Sequence, residues 1–365
     1  MNFTLPIRND LRGVHSYGAP QLDVPVQLNM NQNPFALPPE VVEAITEAIR
    51  QAAPSLNRYP DRDARGLRDA IATYLARESG ASVEHQRVWA ANGSNEVMHH
   101  LFLAFGGPGR TAMSFDPTYS MYPEYARDTF TEYVSFPRRA DFTIDVDAAI
   151  EQISRLRPTI VIVTSPNNPT GTALPSSDLI NLADVSREVG AMLIVDEAYA
   201  EFRREGIASA LLLLPDFPNL IVTRTMSKAF GMAGTRLGYA VAADPGVIDV
   251  LSVVRLPYHL STITQSVATT ALAYADVLQA QVDLLRRERD DLQTWFLAQG
   301  FHAPPSDANF ILFGRFDDRD AMWRRVLDEG VLIRATGPPG WLRVSIGLPE
   351  ENGRFRSALL SAMDK

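Results

Sequence analysis

The sequence predicts an α/β protein with a mostly parallel central sheet in a large domain, followed by a smaller α+β C-terminal domain. Three observations carry this. Ile160-Val161-Ile162-Val163-Thr164, Met192-Leu193-Ile194-Val195 and Leu220-Ile221-Val222-Thr223 are nearly continuous apolar runs, as strands buried on both faces require. Strand and helix patterns alternate along the first two thirds of the chain, the signature of a parallel sheet covered by helices. After about Leu256 the pattern changes to a long helical stretch and a few short strands.

Residues 1–34 are rich in Pro and Asn and read as an extended arm ending in the turn Asn31-Gln32-Asn33-Pro34. Residues 35–255 form the large domain and 256–365 the small one. Val41, Val42, Ile45 and Ile49 recur at helical spacing after Pro38-Pro39, a good start signal. The polar loop Asn57-Arg58-Tyr59-Pro60-Asp61 leads to a second amphipathic helix through Leu67, Ile71 and Leu75. A strand at Arg87 to Ala90 is followed by a turn at Gly93 and a helix from about Asn95 to Phe105. Thr111 to Phe115 is the next strand, then Asp116-Pro117-Thr118-Tyr119 and a helix. Leu237 to Ala242 adds one more strand to the sheet. A single helical stretch is expected from about Thr264 to Gln299, then strands at Asn309–Phe313 and Leu342–Ile346 with a helix between them.

Composition removes several function classes. A formal charge of −9 disfavours non-specific binding to nucleic acid or to an anionic membrane. With no cysteine, disulfides, thiolate catalysis and iron–sulfur clusters are excluded. The start, Met1 to Arg8, lacks the basic-then-apolar pattern of a signal peptide, and no apolar run approaches membrane-spanning length, so a cytoplasmic protein is expected. The adjacent His99 and His100 cannot face one metal from a helix, and no metal site is indicated.

Polar clusters fall where the sheet strands end, the place open α/β sheets use for ligands. Lys228 lies just beyond the Leu220 strand, in Thr225-Met226-Ser227-Lys228-Ala229-Phe230-Gly231. Taken alone it is an exposed loop lysine. With burial and the positive charge of Arg236 nearby, its amine can condense with an aldehyde cofactor. Arg236, Thr225 and Ser227 can also hold a phosphate. Gly93-Ser94-Asn95 opens a helix whose free N–H groups suit an anion, although Ser94 serves equally as a plain helix cap. Pro166 and Pro169 fix the turn that presents Asn168 as a donor. Asp196, at a strand's mouth, can pair with a protonated ring nitrogen or simply cap a helix, and Tyr199 can donate to a ring oxygen. Tyr119 can stack on a flat ring. Arg334 and Arg343, each flanked by apolar residues, need an anion to satisfy their forks.

Together Asn168-Pro169-Thr170-Gly171, Asp196-Glu197-Ala198-Tyr199, Ser227-Lys228-Ala229-Phe230-Gly231 and Arg236 resemble the fold-type-I transferases dependent on pyridoxal 5′-phosphate (PLP), and among them the aminotransferases. The Asn31–Pro34 turn, Arg58-Tyr59-Pro60-Asp61, Pro117-Thr118-Tyr119 and Pro257-Tyr258 look most like the histidinol-phosphate aminotransferase branch. Gln32 and Asn95 depart from it, standing where that branch usually has Glu and Asp. The resemblance implies that Lys228 carries PLP as a Schiff base and moves the substrate proton. It implies that Asp196 keeps the ring nitrogen protonated, Asn168 and Tyr199 bond the ring oxygen, and Tyr119 stacks on the ring. Ser94, Asn95, Thr225, Ser227 and Arg236 would form the phosphate cup. Tyr59 would reach into a neighbouring subunit's cofactor site, implying a homodimer. Arg343 would anchor the substrate anion with Arg334 and Tyr17, helped by Asn33 and by Tyr258 from the other subunit. The implied reaction is transamination between L-histidinol phosphate and 2-oxoglutarate; an aromatic amino-acid aminotransferase and an amino-acid-phosphate decarboxylase share the scaffold.

Overall fold

The computed structural model describes residues 5–16 and 18–364. Seven strands build the central sheet: β2 (Val88–Ala91), β3 (Thr111–Asp116), β4 (Glu132–Pro137), β5 (Ile160–Thr164), β6 (Met192–Asp196), β7 (Leu220–Thr225) and β8 (Gly238–Ala242), a short β1 (Val26–Gln27) lying outside it. Their order is β2-β8-β7-β6-β5-β3-β4, and β8 alone runs antiparallel to its neighbours. The apolar runs are buried along their whole length because helices cover both faces. These are α1 (Pro39–Ala52), α2 (Arg65–Ser79), α3 (Gly93–Phe105), α4 (Tyr122–Asp128), α5 (Val146–Leu156), α6 (Ser176–Val189) and α7 (Gly246–Val254). In-register pairing puts Thr164 beside Asp196, and Asp196 beside Thr223, at the carboxyl end of the sheet.

The C-terminal third differs from expectation in its long helix and in two short extra strands. The helical stretch is two helices, α8 (Thr262–Ala273) and α9 (Ala275–Ala298), separated at Tyr274, whose φ −104° and ψ 20° leave the helical region. The bend lets α8 pack on α1 and α2 while α9 packs on β9 (Phe310–Gly314). After α10 (Arg319–Asp328) come β10 (Val331–Leu332), β11 (Arg334–Ala335) and β12 (Trp341–Ser345), and α11 (Pro349–Met363) closes the chain. β11, β12 and β9 form an antiparallel sheet, and β1 of the arm pairs in parallel with β10. Helix α3 begins two residues earlier than expected. Asn92 is its cap residue, and the Glu96 carboxylate accepts from the Asn92 backbone N–H at 2.6 Å. Ser94 is therefore inside the first turn rather than capping it.

On the face of β6 and β7 turned away from their polar mouths lies a buried ion cluster. Arg224 donates to Glu197 at 2.8 Å and to Glu78 at 2.7 Å, and Arg203 reaches the same two carboxylates at 3.3 and 3.5 Å. Ser209 Oγ and the Ala210 N–H also donate to Glu197, each at 2.7 Å. Burial alone would raise the Glu197 pKa, but Arg224 and Arg203 hold it below the ordinary value. Glu201, also buried, is pushed up. Removing Arg224 takes the nearer guanidinium from Glu197 and Glu78 and the pairing arginine from buried Glu201, so Arg224→Leu is expected to lose about 3–5 kcal/mol of stability in urea unfolding. A loss under about 1 kcal/mol would show that the cluster is not the clamp described here.

Candidate active site

A cavity of about 340 Å³ opens where the carboxyl ends of the central strands meet the small antiparallel sheet. Twelve of the residues singled out in the sequence line it: Ser94, Asn95, Tyr119, Asn168, Asp196, Tyr199, Thr225, Ser227, Lys228, Arg236, Arg334 and Arg343. Apart from Arg334 with Arg343 on one hairpin and Arg236 a few residues after Lys228, the stretches that supply them are far apart in the chain. The sheet register and the packing of the C-terminal third bring them together.

One end is built for an anion. The first turn of α3 brings Ser94 and Asn95 to the cavity, and the leading N–H groups of a helix have no intrahelical acceptor. Thr225 Oγ1 donates to Ser227 Oγ at 3.0 Å, and Arg236 Nη1 lies 3.4 Å from Ser227 Oγ. Two glycines permit this closeness. A Cβ on Gly93, which has φ +82°, would meet the Arg236 guanidinium, and one on Gly238 would run into the Ser94 backbone. Tyr119 and Tyr125 both donate to Asn95 Oδ1, at 3.2 and 2.9 Å.

The cavity's next section suits a flat polar ring. Asp196 is buried and accepts from Tyr122 OH at 2.8 Å and from Thr223 Oγ1 and the Ala198 N–H at 3.2 Å. Desolvation raises its pKa, with these hydrogen bonds acting in the opposite direction. Asn168 Oδ1 accepts from Arg343 Nη1 at 2.5 Å, which turns the amide's N–H groups to other partners. Tyr199 OH accepts from Asn31 Nδ2 at 3.1 Å.

Lys228 stands among these groups, donating from Nζ to the Met30 carbonyl at 3.1 Å. Desolvation, with the positive charges of Arg343 and Arg236, lowers its pKa to about 7. At neutral pH half of the amine is therefore an uncharged nucleophile. Lysine occurs at two positions in the chain, 228 and 365, and all the other basic side chains of permanent charge are arginines. Arg343 Nη2 donates to the Asn29 carbonyl at 3.0 Å, and its guanidinium lies 5.1 Å from the Phe310 ring centroid. Arg334 is directly opposite Arg343 across β11 and β12. Like charges so placed repel each other, and an anion between them removes the cost.

One expectation falls differently, two concern a second subunit's site rather than this one, and a fourth cannot be followed. Asn33 does not line the cavity: it donates to the Ala229 carbonyl at 3.2 Å and supports the lysine loop from outside. The chain turns at Asn31, which has φ +54°, so Asn31 rather than Asn33 faces Tyr199. Tyr59 and Tyr258 also stay out of this chain's cavity. They stack on each other at the surface, 4.4 Å between ring centroids, 79% and 40% exposed. Tyr17 lies outside the described residues. Sequence reasoning passed over Asn31 and Tyr122. Their partners are 168 and 74 residues away, and no local pattern announces such contacts.

The lysine's perturbed ionisation is directly measurable. The initial rate of modification of Lys228 in the cofactor-free protein by an amine-reactive reagent should rise with pH and reach half its plateau near pH 7. A midpoint near the ordinary lysine value, about 10.4, would show that the cavity does not perturb it.

The model of the family "Aminotransferase class I and II" matches residues 24–359. The histidinol-phosphate aminotransferase of Thermobifida fusca is 58% identical, over 98% of this chain and 95% of that one. The enzyme of that name from Bifidobacterium longum is 51% identical, over 98% and 97%. Among solved structures, a Thermus thermophilus aspartate aminotransferase mutant superposes with a TM-score of 0.82 at 27% identity, covering 97% of this chain and 98% of that one. The Sinorhizobium meliloti histidinol-phosphate aminotransferase, solved in complex with pyridoxal-5′-phosphate, has the same fold, with a TM-score of 0.82, 24% identity, and coverage of 93% and 91%. Matched by the family model over nearly all its length, and more than half identical to relatives that it covers almost completely, this chain belongs to the class I and II aminotransferases.

Proposed function

We propose that the chain is a PLP-dependent aminotransferase that interconverts L-histidinol phosphate and 2-oxoglutarate with imidazole-acetol phosphate and L-glutamate, in the formation of histidine. The observation that carries this is one cavity holding a lysine of depressed pKa, a buried carboxyl, and arginines in two separate places, Arg236 beside the α3 terminus and Arg334 with Arg343 on the small sheet. The names of relatives more than half identical to the chain support the choice of substrate.

The residues fit PLP. Gly93 and Gly238 keep the α3 terminus open against Arg236 and β8, forming a phosphate cradle that a Cβ would fill. Ser94, Asn95, Thr225, Ser227 and Arg236 would hold the phosphate, Asp196 the ring nitrogen, Asn168 and Tyr199 the ring oxygen, and Tyr119 the ring face. When bound, PLP supplies an electron sink for the pair released as the substrate's Cα loses a proton. Lys228 does the proton work: its amine, near half-protonated at neutral pH, accepts a proton at Nζ and returns one. Asp196, excluded from water, would hold positive charge on the ring nitrogen. Arg343 and Arg334 face either substrate's anion, a carboxylate in one half-reaction and a phosphate in the other. That lets one site serve both.

The same proposal includes a cytoplasmic homodimer. The stacked pair Tyr59 and Tyr258 lies exposed beside Leu256, itself 77% exposed, and a second copy covering that face would receive both tyrosines at its own site. Among the described residues no helix is long and apolar enough to cross a membrane.

The first experiment is a single-turnover titration of the PLP absorbance band with L-histidinol phosphate beside L-phenylalanine. Conversion at much lower histidinol phosphate is expected; equal or better conversion by phenylalanine would make the protein an aromatic aminotransferase, and CO₂ release would make it a decarboxylase. Arg343→Ala should lower kcat/KM for both glutamate and histidinol phosphate on the order of a hundredfold, as loss of a buried charged hydrogen bond implies. Unchanged glutamate kinetics would reject Arg343 as the shared anchor. Lys228→Ala should abolish turnover while PLP still binds non-covalently. Sedimentation equilibrium should return twice the chain mass of 40.3 kDa; a monomer with full activity would dismiss the shared site.

A further inference from the structure

Behind Asp196 runs a row of hydroxyls. Tyr122 OH is 2.8 Å from Asp196 Oδ2 and 2.7 Å from Thr164 Oγ1. Thr164 Oγ1 is 3.1 Å from Thr118 Oγ1, which lies 3.2 Å from Asn167 Oδ1. The Asn167 amide is held in one orientation by donating to the Pro117 carbonyl at 2.9 Å and to Thr170 Oγ1 at 2.8 Å, so an acceptor ends the row. Tyr122, Thr164 and Asn167 are 0%, 3% and 0% exposed, too deep for water to substitute for a missing partner.

Each hydroxyl has one proton, and the row can be satisfied in two directions. With Asp196 ionised, Thr118 donates to Thr164, Thr164 to Tyr122, and Tyr122 to Asp196. With Asp196 neutral, every bond reverses: Asp196 donates to Tyr122, Tyr122 to Thr164, Thr164 to Thr118, and Thr118 to Asn167 Oδ1. Asp196 keeps its bond to Tyr122 in either direction; the ionised direction takes the Thr118 proton away from Asn167 Oδ1, at the far end of the row.

We propose that Tyr122, Thr164 and Thr118 form a reversible hydroxyl chain that keeps Asp196 hydrogen-bonded as a neutral acid before PLP binds and as an anion afterwards. This rests on Asp196 being the partner of the ring nitrogen. The proton leaves Asp196 Oδ2 for the nitrogen lone pair of the incoming ring; the carboxyl becomes an anion, the nitrogen a cation, and each hydroxyl turns about its C–O bond. The surroundings support a neutral starting acid. Burial disfavours the anion, as does the charge of the adjacent Glu197. The groups facing Asp196 from α4 and β7 are the hydroxyls of Tyr122 and Thr223, and Lys228 is the titratable cation across the cavity. Asp196 thus serves an empty and a filled cavity without a buried, uncompensated charge in either. The three hydroxyl residues are positioning residues, acting on the cofactor through Asp196.

The test is infrared difference spectroscopy of the apoenzyme before and after adding PLP, joined to a PLP-affinity titration. The apoenzyme should show the carbonyl stretch of a protonated carboxylic acid that vanishes as PLP binds and is absent from Asp196→Asn. In Tyr122→Phe the band should shift, and PLP should bind about tenfold or more weakly, the scale of one hydrogen bond to a charged group. Thr164→Val should weaken PLP binding less, and Thr164→Ser should restore both band and affinity. No acid band in the apoenzyme, or a Tyr122→Phe variant with unshifted band and unchanged affinity, would overturn the chain while leaving the cofactor site standing. Asp196→Asn binding PLP as tightly as the wild type would overturn both the chain and the cofactor site.

Discussion

Strand alternation at the ends of β6 and β7 turns neighbouring residues to opposite faces of one sheet, and this separates two charge systems by the thickness of a backbone. Asp196 and Thr225 face the cavity; Glu197 and Arg224, one residue away on each strand, face the buried cluster with Glu78 and Arg203. The two sides obey different rules. The cluster side satisfies its charges internally and locks the strand ends together. The cavity side keeps polar groups available, which is costly in a folded protein unless something rigid supports it. The fixed side makes the receptive side possible.

Much of this was legible in the sequence. β5, β6 and β7 are buried on both faces, so their apolar runs are unbroken and their ends are marked by the first polar residues. Thr164 of β5, Asp196 of β6 and, two positions past the first polar residue of β7, Thr225 line the cavity. β4 carries no such mark. It is an edge strand of the sheet with no fully buried position, and its sequence looks like a loop. Nor does Tyr274, where α8 and α9 part, bear the proline or glycine that normally announces a break.

The site's supporting residues were hidden for a different reason. Asn31 and Asn33 are two positions apart in one turn, and sequence cannot say which faces inward. The left-handed backbone at Asn31 decides it. Tyr122 looks like an ordinary core aromatic on a short helix until Asp196 arrives beside its hydroxyl from another strand. Residues that touch a ligand carry chemistry unusual enough to notice. Residues that act through another side chain have the composition of the core.

The chain's spare use of lysine has a chemical consequence. A phosphorylated aldehyde is drawn to positive charge, yet any amine supplying that charge would compete to condense with it. Guanidinium groups attract without condensing, because resonance holds their nitrogen lone pairs. Arg236, Arg334 and Arg343 can therefore surround an electrophile closely while Lys228 remains the lone reactive nitrogen among the cavity's cations. Selectivity here begins as a choice of functional group, before geometry enters.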